Sequence, residues 1–113
     1  MMVRRHHRFP VAIPVTLVHA QRERLRYTGT VKDLSQRGCR IESVIRPFTG
    51  MQVELHLQPP GESAPIMIGN ATVRWTGSCG IGLEFLTVAP PQQERLNRLL
   101  ERLSSHRRDL PPG

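Results

Sequence analysis

Aromatic residues are scarce in this chain, with three Phe, one Tyr and one Trp making up 4% of its 113 residues. That scarcity argues against the repeated stacking platforms on which single-stranded nucleic acids are held. Cysteine is as rare. Cys39 and Cys79 are too few and too far apart for a disulfide framework or a zinc site, and both are expected to be small buried hydrophobes. No apolar run approaches the ~20 residues of a membrane span. The opening Met-Met-Val-Arg-Arg-His-His-Arg has no signal-peptide-like apolar stretch behind it. A soluble cytoplasmic protein with no membrane insertion is therefore expected. Lysine is nearly missing too, since all but Lys32 of the 16 basic residues are arginine.

What is present suffices for one small domain. A hydrophobic content of 38% can build a core, and the length has room for only one. The net charge of +7 is unevenly placed. Residues 1–40 carry nine basic groups (Arg4, Arg5, Arg8, Arg22, Arg24, Arg26, Lys32, Arg37, Arg40) against Glu23 and Asp33, whereas residues 41–113 carry seven of each sign. A guanidinium fork matches phosphate oxygens or a guanine edge bidentately, which an ammonium cannot do. The arginine excess thus suggests a shaped anionic partner, although a genome rich in arginine codons explains the composition equally well.

Residues 1–9 are basic and without periodicity, which predicts a flexible N-terminal arm. From Val11, apolar residues alternate through Ile13, Val15 and Leu17, the period of a half-buried strand. Pro10 and Pro14 suit the start and the edge of a sheet. Further strands are expected over 27–34, 38–43, 51–57, 66–76 and 81–86. Val53, Leu55 and Leu57 set against Glu54 and His56 give the clearest alternation. In the fifth segment Ala71, Val73 and Trp75 are expected to share one face. After Pro90-Pro91, Leu96, Leu99, Leu100 and Leu103 form a helical stripe suited to covering the sheet. The expected fold is mainly β, a small six-stranded antiparallel barrel with a C-terminal amphipathic helix. The domain spans 10–105, and 106–113 form a frayed tail.

Two patterns lie in the basic third. Arg4 and Arg8 form an Arg-x-x-x-Arg pair, and Asp33-Leu34-Ser35-Gln36-Arg37-Gly38 reads Asp-x-Ser-x-x-Gly. Asp33 and Ser35 can cap their own turn or accept from a ligand's N–H groups. Gly38 permits a positive φ or a close approach to a ligand. His6 and His7 lack a third ligand at metal-site spacing, and no histidine stands at a catalytic offset from Asp33 or Ser35, so no metal, cofactor or enzymatic activity is expected.

These motifs, in this order, resemble those of the PilZ family, bacterial receptors for the second messenger cyclic di-GMP. The stretch from Val73-Arg74-Trp75 to Gly80-Ile81-Gly82-Leu83-Glu84-Phe85 resembles the family's closing hairpin. The resemblance implies a split-barrel PilZ-like fold and a cyclic di-GMP site made of Arg4, Arg5, Arg8, Asp33, Ser35 and Gly38. In it the arginines grip phosphate and guanine while Asp33 and Ser35 reach a guanine's other face. Arg37 and Arg40 are expected to belong to a solvated turn. The function implied is a non-enzymatic receptor that orders its arm on binding and so changes its surface for an effector protein. The alternative is a PilZ-like protein-interaction scaffold, of the pilus or motility kind, that does not bind the nucleotide. Nucleic acid is disfavoured as a partner despite a pI near 11.2.

Overall fold

The computed structural model of the protein describes residues 7–22 and 24–109, with side chains as far as Ser105. Six strands, β1 (Phe9–His19), β2 (Arg26–Leu34), β3 (Gly38–Ser43), β4 (Gln52–Leu57), β5 (Ile66–Gly77) and β6 (Gly80–Thr87), precede one helix, α1 (Pro90–Asp109). The strands close into an antiparallel barrel in the order β1-β2-β3-β6-β5-β4. Alternation sets this arrangement. Ile13, Val15 and Leu17 of β1, Val53, Leu55 and Leu57 of β4, and Ile81, Leu83 and Phe85 of β6 all point into one core, joined by Ile66 and Ile68 of β5. Leu96 and Leu99 complete that core from α1, while Leu100 and Leu103 pack against it partly buried.

Two boundaries differ from expectation. The strand begins at Phe9, which is buried and pairs with Leu34, so the last residue of the expected arm belongs to the barrel. Helical backbone also continues past Ser105 to Asp109.

The closed barrel still gives the prolines a local edge. Pairing between β1 and β4 covers only Val15 to His19, so Pro10 and Pro14 have β2 alone as a ladder partner. The Pro14 carbonyl accepts from the Gln58 N–H at 2.9 Å, on the side away from β2. The missing proline N–H therefore removes no rung of the β1–β2 ladder. Cys39 lies in the core, where burial, reinforced by the Asp33 carboxylate, pushes its thiol pKa up. Cys79 contradicts the expectation of burial. It is exposed in the turn between β5 and β6, which closes at Gly80 with φ 122°.

The helix is tied to the loop before β5 by charge. Glu62 accepts from Arg95 at 2.7 Å and from Arg102 at 2.8 Å, and Arg95 also donates to the carbonyls of Ala64 and Pro65. The two guanidinium partners hold the Glu62 carboxyl below its ordinary pKa of 4.5. A depressed carboxyl pKa stabilises the folded state above the ordinary value, and that stabilisation is lost as pH falls through the folded value. Glu62→Gln is expected to be less stable than wild type above about pH 4.5. The loss is less than about 1 kcal/mol, because the groups are partly solvated. Melting curves of both proteins across the acid range should converge as pH falls further. No helix among the described residues is long and apolar enough to cross a membrane.

Candidate ligand-binding site

The sequence motifs meet on the outer surface of the barrel. A register shift between Val31 and Asp33 lets Val31 and Leu34 both face inward while Asp33 stands outside. Asp33 pairs across the ladders with Pro10 of β1 and with Arg40 of β3. Arg40 in turn pairs with Gly82 of β6, and Gly82 with Trp75 of β5. One row therefore crosses five strands: Pro10, Asp33, Arg40, Gly82 and Trp75.

Asp33 is the hub of the charges in this row. Its Oδ1 accepts from the Arg8 guanidinium at 2.5 Å and its Oδ2 from Arg40 Nε at 3.0 Å. Arg40 is held further by its Nη1, which donates to the Cys79 carbonyl at 2.7 Å. Arg8 is the more exposed of the two, at 40% against 28%. Arg40 Nη1 also lies 3.8 Å from the Glu42 carboxylate, so Arg8 and Arg40 are matched by Asp33 and Glu42. Lys32 and Arg37, neither of which has an ion pair among the described residues, give the surface its positive excess. Such a surface attracts anions.

Ser35 and Gly38 are engaged in the turn itself. Ser35 is buried, and its Oγ accepts from the N–H groups of Arg37 (3.2 Å) and Gly38 (3.1 Å) while lying 3.2 Å from the Gly38 carbonyl, to which it donates. The Ser35 N–H donates to the same carbonyl at 2.9 Å. These bonds make Ser35 the cap of its own turn. Gly38 does not adopt a positive φ. A Cβ there would lie 2.4 Å from the Leu83 carbonyl oxygen, so glycine is required by the close approach of β3 to β6. Together they hold Asp33 and Arg40 at their spacing across the β2–β3 connection.

Arg4 and Arg5 lie outside the described residues. Of the expected arm, His7 contacts the Phe9 ring at 5.3 Å between centroids, and Arg8 is docked on Asp33.

Two residues of the row escaped the sequence reading. Arg40 belongs to a strand and carries the Asp33 pair, so a solvated turn is the wrong description of it. Trp75 was expected to share the inward face of Ala71 and Val73. A second register shift, between Val73 and Trp75, turns it outward to 41% exposure. Its indole lies across Gly82 so closely that a Cβ at that position would collide with the ring. The glycine opposite a lone tryptophan was the signal available in the sequence, since only glycine leaves room for a ring lying flat on a strand. No group of three or more His, Cys, Asp or Glu able to hold a metal ion occurs among the described residues.

Comparison with solved structures places this barrel among known ones. The PilZ domain of CeSA from a cellulose-synthesizing bacterium is 22% identical, with a TM-score of 0.67 over 87% of this chain and 98% of its own. The PilZ domain of Escherichia coli YcgR, solved with c-di-GMP, is 16% identical, with a TM-score of 0.70 over 96% of each chain. The Bacillus subtilis inhibitor of motility, MotI/DgrA, is 18% identical with a TM-score of 0.71, and the match spans 95% of this chain but only 54% of MotI/DgrA. At these identities the likeness concerns the fold. A comparison with curated protein sequences gives no match. The sequence model of the PilZ domain matches residues 2–102, nearly the whole of the 113-residue chain, and on that evidence the chain belongs to the PilZ domain family.

Proposed function

We propose that the protein is a cytoplasmic, non-enzymatic receptor for cyclic di-GMP, which it takes on the outer face of the barrel around Asp33. One observation carries the reading: Arg8 of the first motif is seated on Asp33 of the second, 25 residues away in sequence. Both halves of a two-part motif thus share a single surface. The chemistry of the ligand suits it. Each phosphate can take a guanidinium fork, and each guanine offers O6 and N7 to arginine and a flat face for stacking. In this reading Arg4, Arg5 and Arg8 grip phosphate and guanine, while Asp33 accepts from a guanine's N–H edge. Ser35 and Gly38 serve by shaping the turn. Trp75, exposed in the same row as Arg40, supplies a flat surface for a base. The c-di-GMP bound by YcgR in its structures supports the choice of ligand, because this chain shares that fold.

Binding exchanges partners: Arg8 leaves Asp33 for the anion, and Asp33 is freed for the guanine. With the arginines of the arm, up to Arg8, drawn onto the ligand, the surface around β1 changes, and this is the signal an effector protein reads.

Calorimetric titration at two salt concentrations tests the reading. Cyclic di-GMP is expected to bind with saturable stoichiometry and modest salt dependence. A random oligonucleotide should bind weakly and lose affinity steeply as salt rises, as contacts limited to phosphate do. Absence of heat with cyclic di-GMP, in a protein whose melting curve shows it folded, would leave the interaction scaffold as the better description.

A further inference from the structure

The end of the barrel opposite Asp33 carries a second concentration of arginine. The β1–β2 pairing runs from Phe9 and Leu34 at one end to Val18 and Arg26 at the other, so the connection between these strands stands a full strand length from the site above. It holds Arg22 and Arg24, and Arg26 follows as β2 begins; all three are exposed. None has an ion pair or a side-chain hydrogen bond among the described residues. Arg8, Arg40, Arg74, Arg95 and Arg102 are all paired with carboxylates.

Apolar surface lies beside this charge. Leu25 is 38% exposed and Phe48 66%. They line separate clefts that meet at Ala20 and Gln21, and a third cleft, reached from Ala20, is bordered by Arg26 and Glu54. Glu54 makes no ion pair with these arginines among the described residues; its carboxylate lies 2.7 Å from His56 Nε2. Exposed apolar side chains flanking recesses, rimmed by arginines that outnumber the acidic Glu23 and Glu54 of the same stretch and cleft, are the make-up of a protein interaction site.

We propose that this end of the barrel docks an acidic segment of a partner protein. Its carboxylates pair with Arg22, Arg24 and Arg26, and its apolar side chains enter the clefts beside Leu25 and Phe48. The clefts favour a protein over a lipid surface, since recesses accept protruding side chains. A lone exposed aromatic argues against nucleic acid, which needs several for stacking. The inference goes beyond the receptor reading and does not depend on it.

A fluorescein-labelled peptide alternating glutamate with leucine serves as the probe, with a glutamine version as control. Anisotropy should show binding of the glutamate peptide only, and amide shifts should fall on residues 19–26 and 48–52. The triple variant Arg22→Ala, Arg24→Ala, Arg26→Ala is expected to lose about tenfold or more in affinity. Phe48→Ser should also weaken binding, while both variants take cyclic di-GMP as wild type does. Unchanged peptide affinity in the variants overturns the proposal, as do shifts centred on Arg8, Asp33 and Arg40. Tighter binding of phosphatidylserine vesicles or a random oligonucleotide to the same residues also overturns it. A chain that takes the peptide but no cyclic di-GMP refutes the receptor reading and leaves the docking surface standing.

Discussion

Gly38→Val is expected to disrupt the barrel at its β3–β6 seam. The Leu83 carbonyl oxygen stands 2.4 Å from where any Cβ would be, and it belongs to a strand locked between two neighbours, so it cannot swing aside as a flexible side chain would. Moving it pulls on Cys39↔Leu83 and Gly38↔Glu84, adjacent pairs of the ladder, and on Leu83 in the core. Overpacking of this kind costs about 3 kcal/mol, and for a domain of this size each kcal/mol lowers Tm by roughly 4–8 °C. Because the collision begins at Cβ, Gly38→Ala should already show a large part of the loss. Ser35→Ala removes the cap without the clash, leaving the buried N–H of Gly38 short of its partner, and should cost about 1–3 kcal/mol. Calorimetric melting of the three variants checks the order. A Gly38→Val protein that melts with wild type would show that β3 and β6 have slack at this point.

Loss of cyclic di-GMP affinity in Arg8→Ala, with the fold intact, is the second large effect expected. Arg8 is two-fifths exposed and Asp33 keeps Arg40 as a partner, so the folded state loses little, less than about 1 kcal/mol. The ligand loses a charge-assisted contact of about 1.5–3 kcal/mol, which is roughly ten- to a hundredfold in Kd. Arg8→Lys separates charge from geometry. If the planar fork matters, lysine recovers only part of the affinity. Asp33→Ala should also weaken binding, and it sheds both guanidinium partners at once, so its melting temperature falls further than that of Arg8→Ala. Titration calorimetry and melting curves on the same samples give both quantities. Equal affinity of Arg8→Ala and wild type would place the ligand elsewhere on the protein.

The contrast between these variants follows from how the two motifs are built. Arg8 and Asp33 act through groups at the surface, where a substitution changes what a ligand meets. Ser35 and Gly38 act through backbone spacing, where a substitution changes the barrel first and the ligand second. The motif Asp-x-Ser-x-x-Gly thus combines one displayed carboxylate with two residues that hold it in position. The last part of the expected flexible arm, at Arg8, is docked on the barrel. Arg8 finds a carboxylate at 2.5 Å, so in the proposed receptor the ligand meets an ion pair that must be exchanged.

Whatever depends on neighbours along the chain was legible in the order of residues alone. The period of two through Val53, Leu55 and Leu57 and the helical stripe from Leu96 to Leu103 each describe a face that must be buried, and burial followed. The pairing of an arginine motif with an acidic turn was legible as residue types in order. The tertiary structure decided what depends on partners across the barrel. Register shifts at Asp33 and Trp75 each insert a residue into one strand only, and alternation counted along the sequence cannot show where such an insertion falls. The first brings Asp33 out beside Arg40, and the second turns Trp75 from the core to the outer surface. Gly38 is decided in the same way. Its need for a missing side chain comes from a carbonyl on β6, a strand 45 residues further on whose distance is set by closure of the barrel.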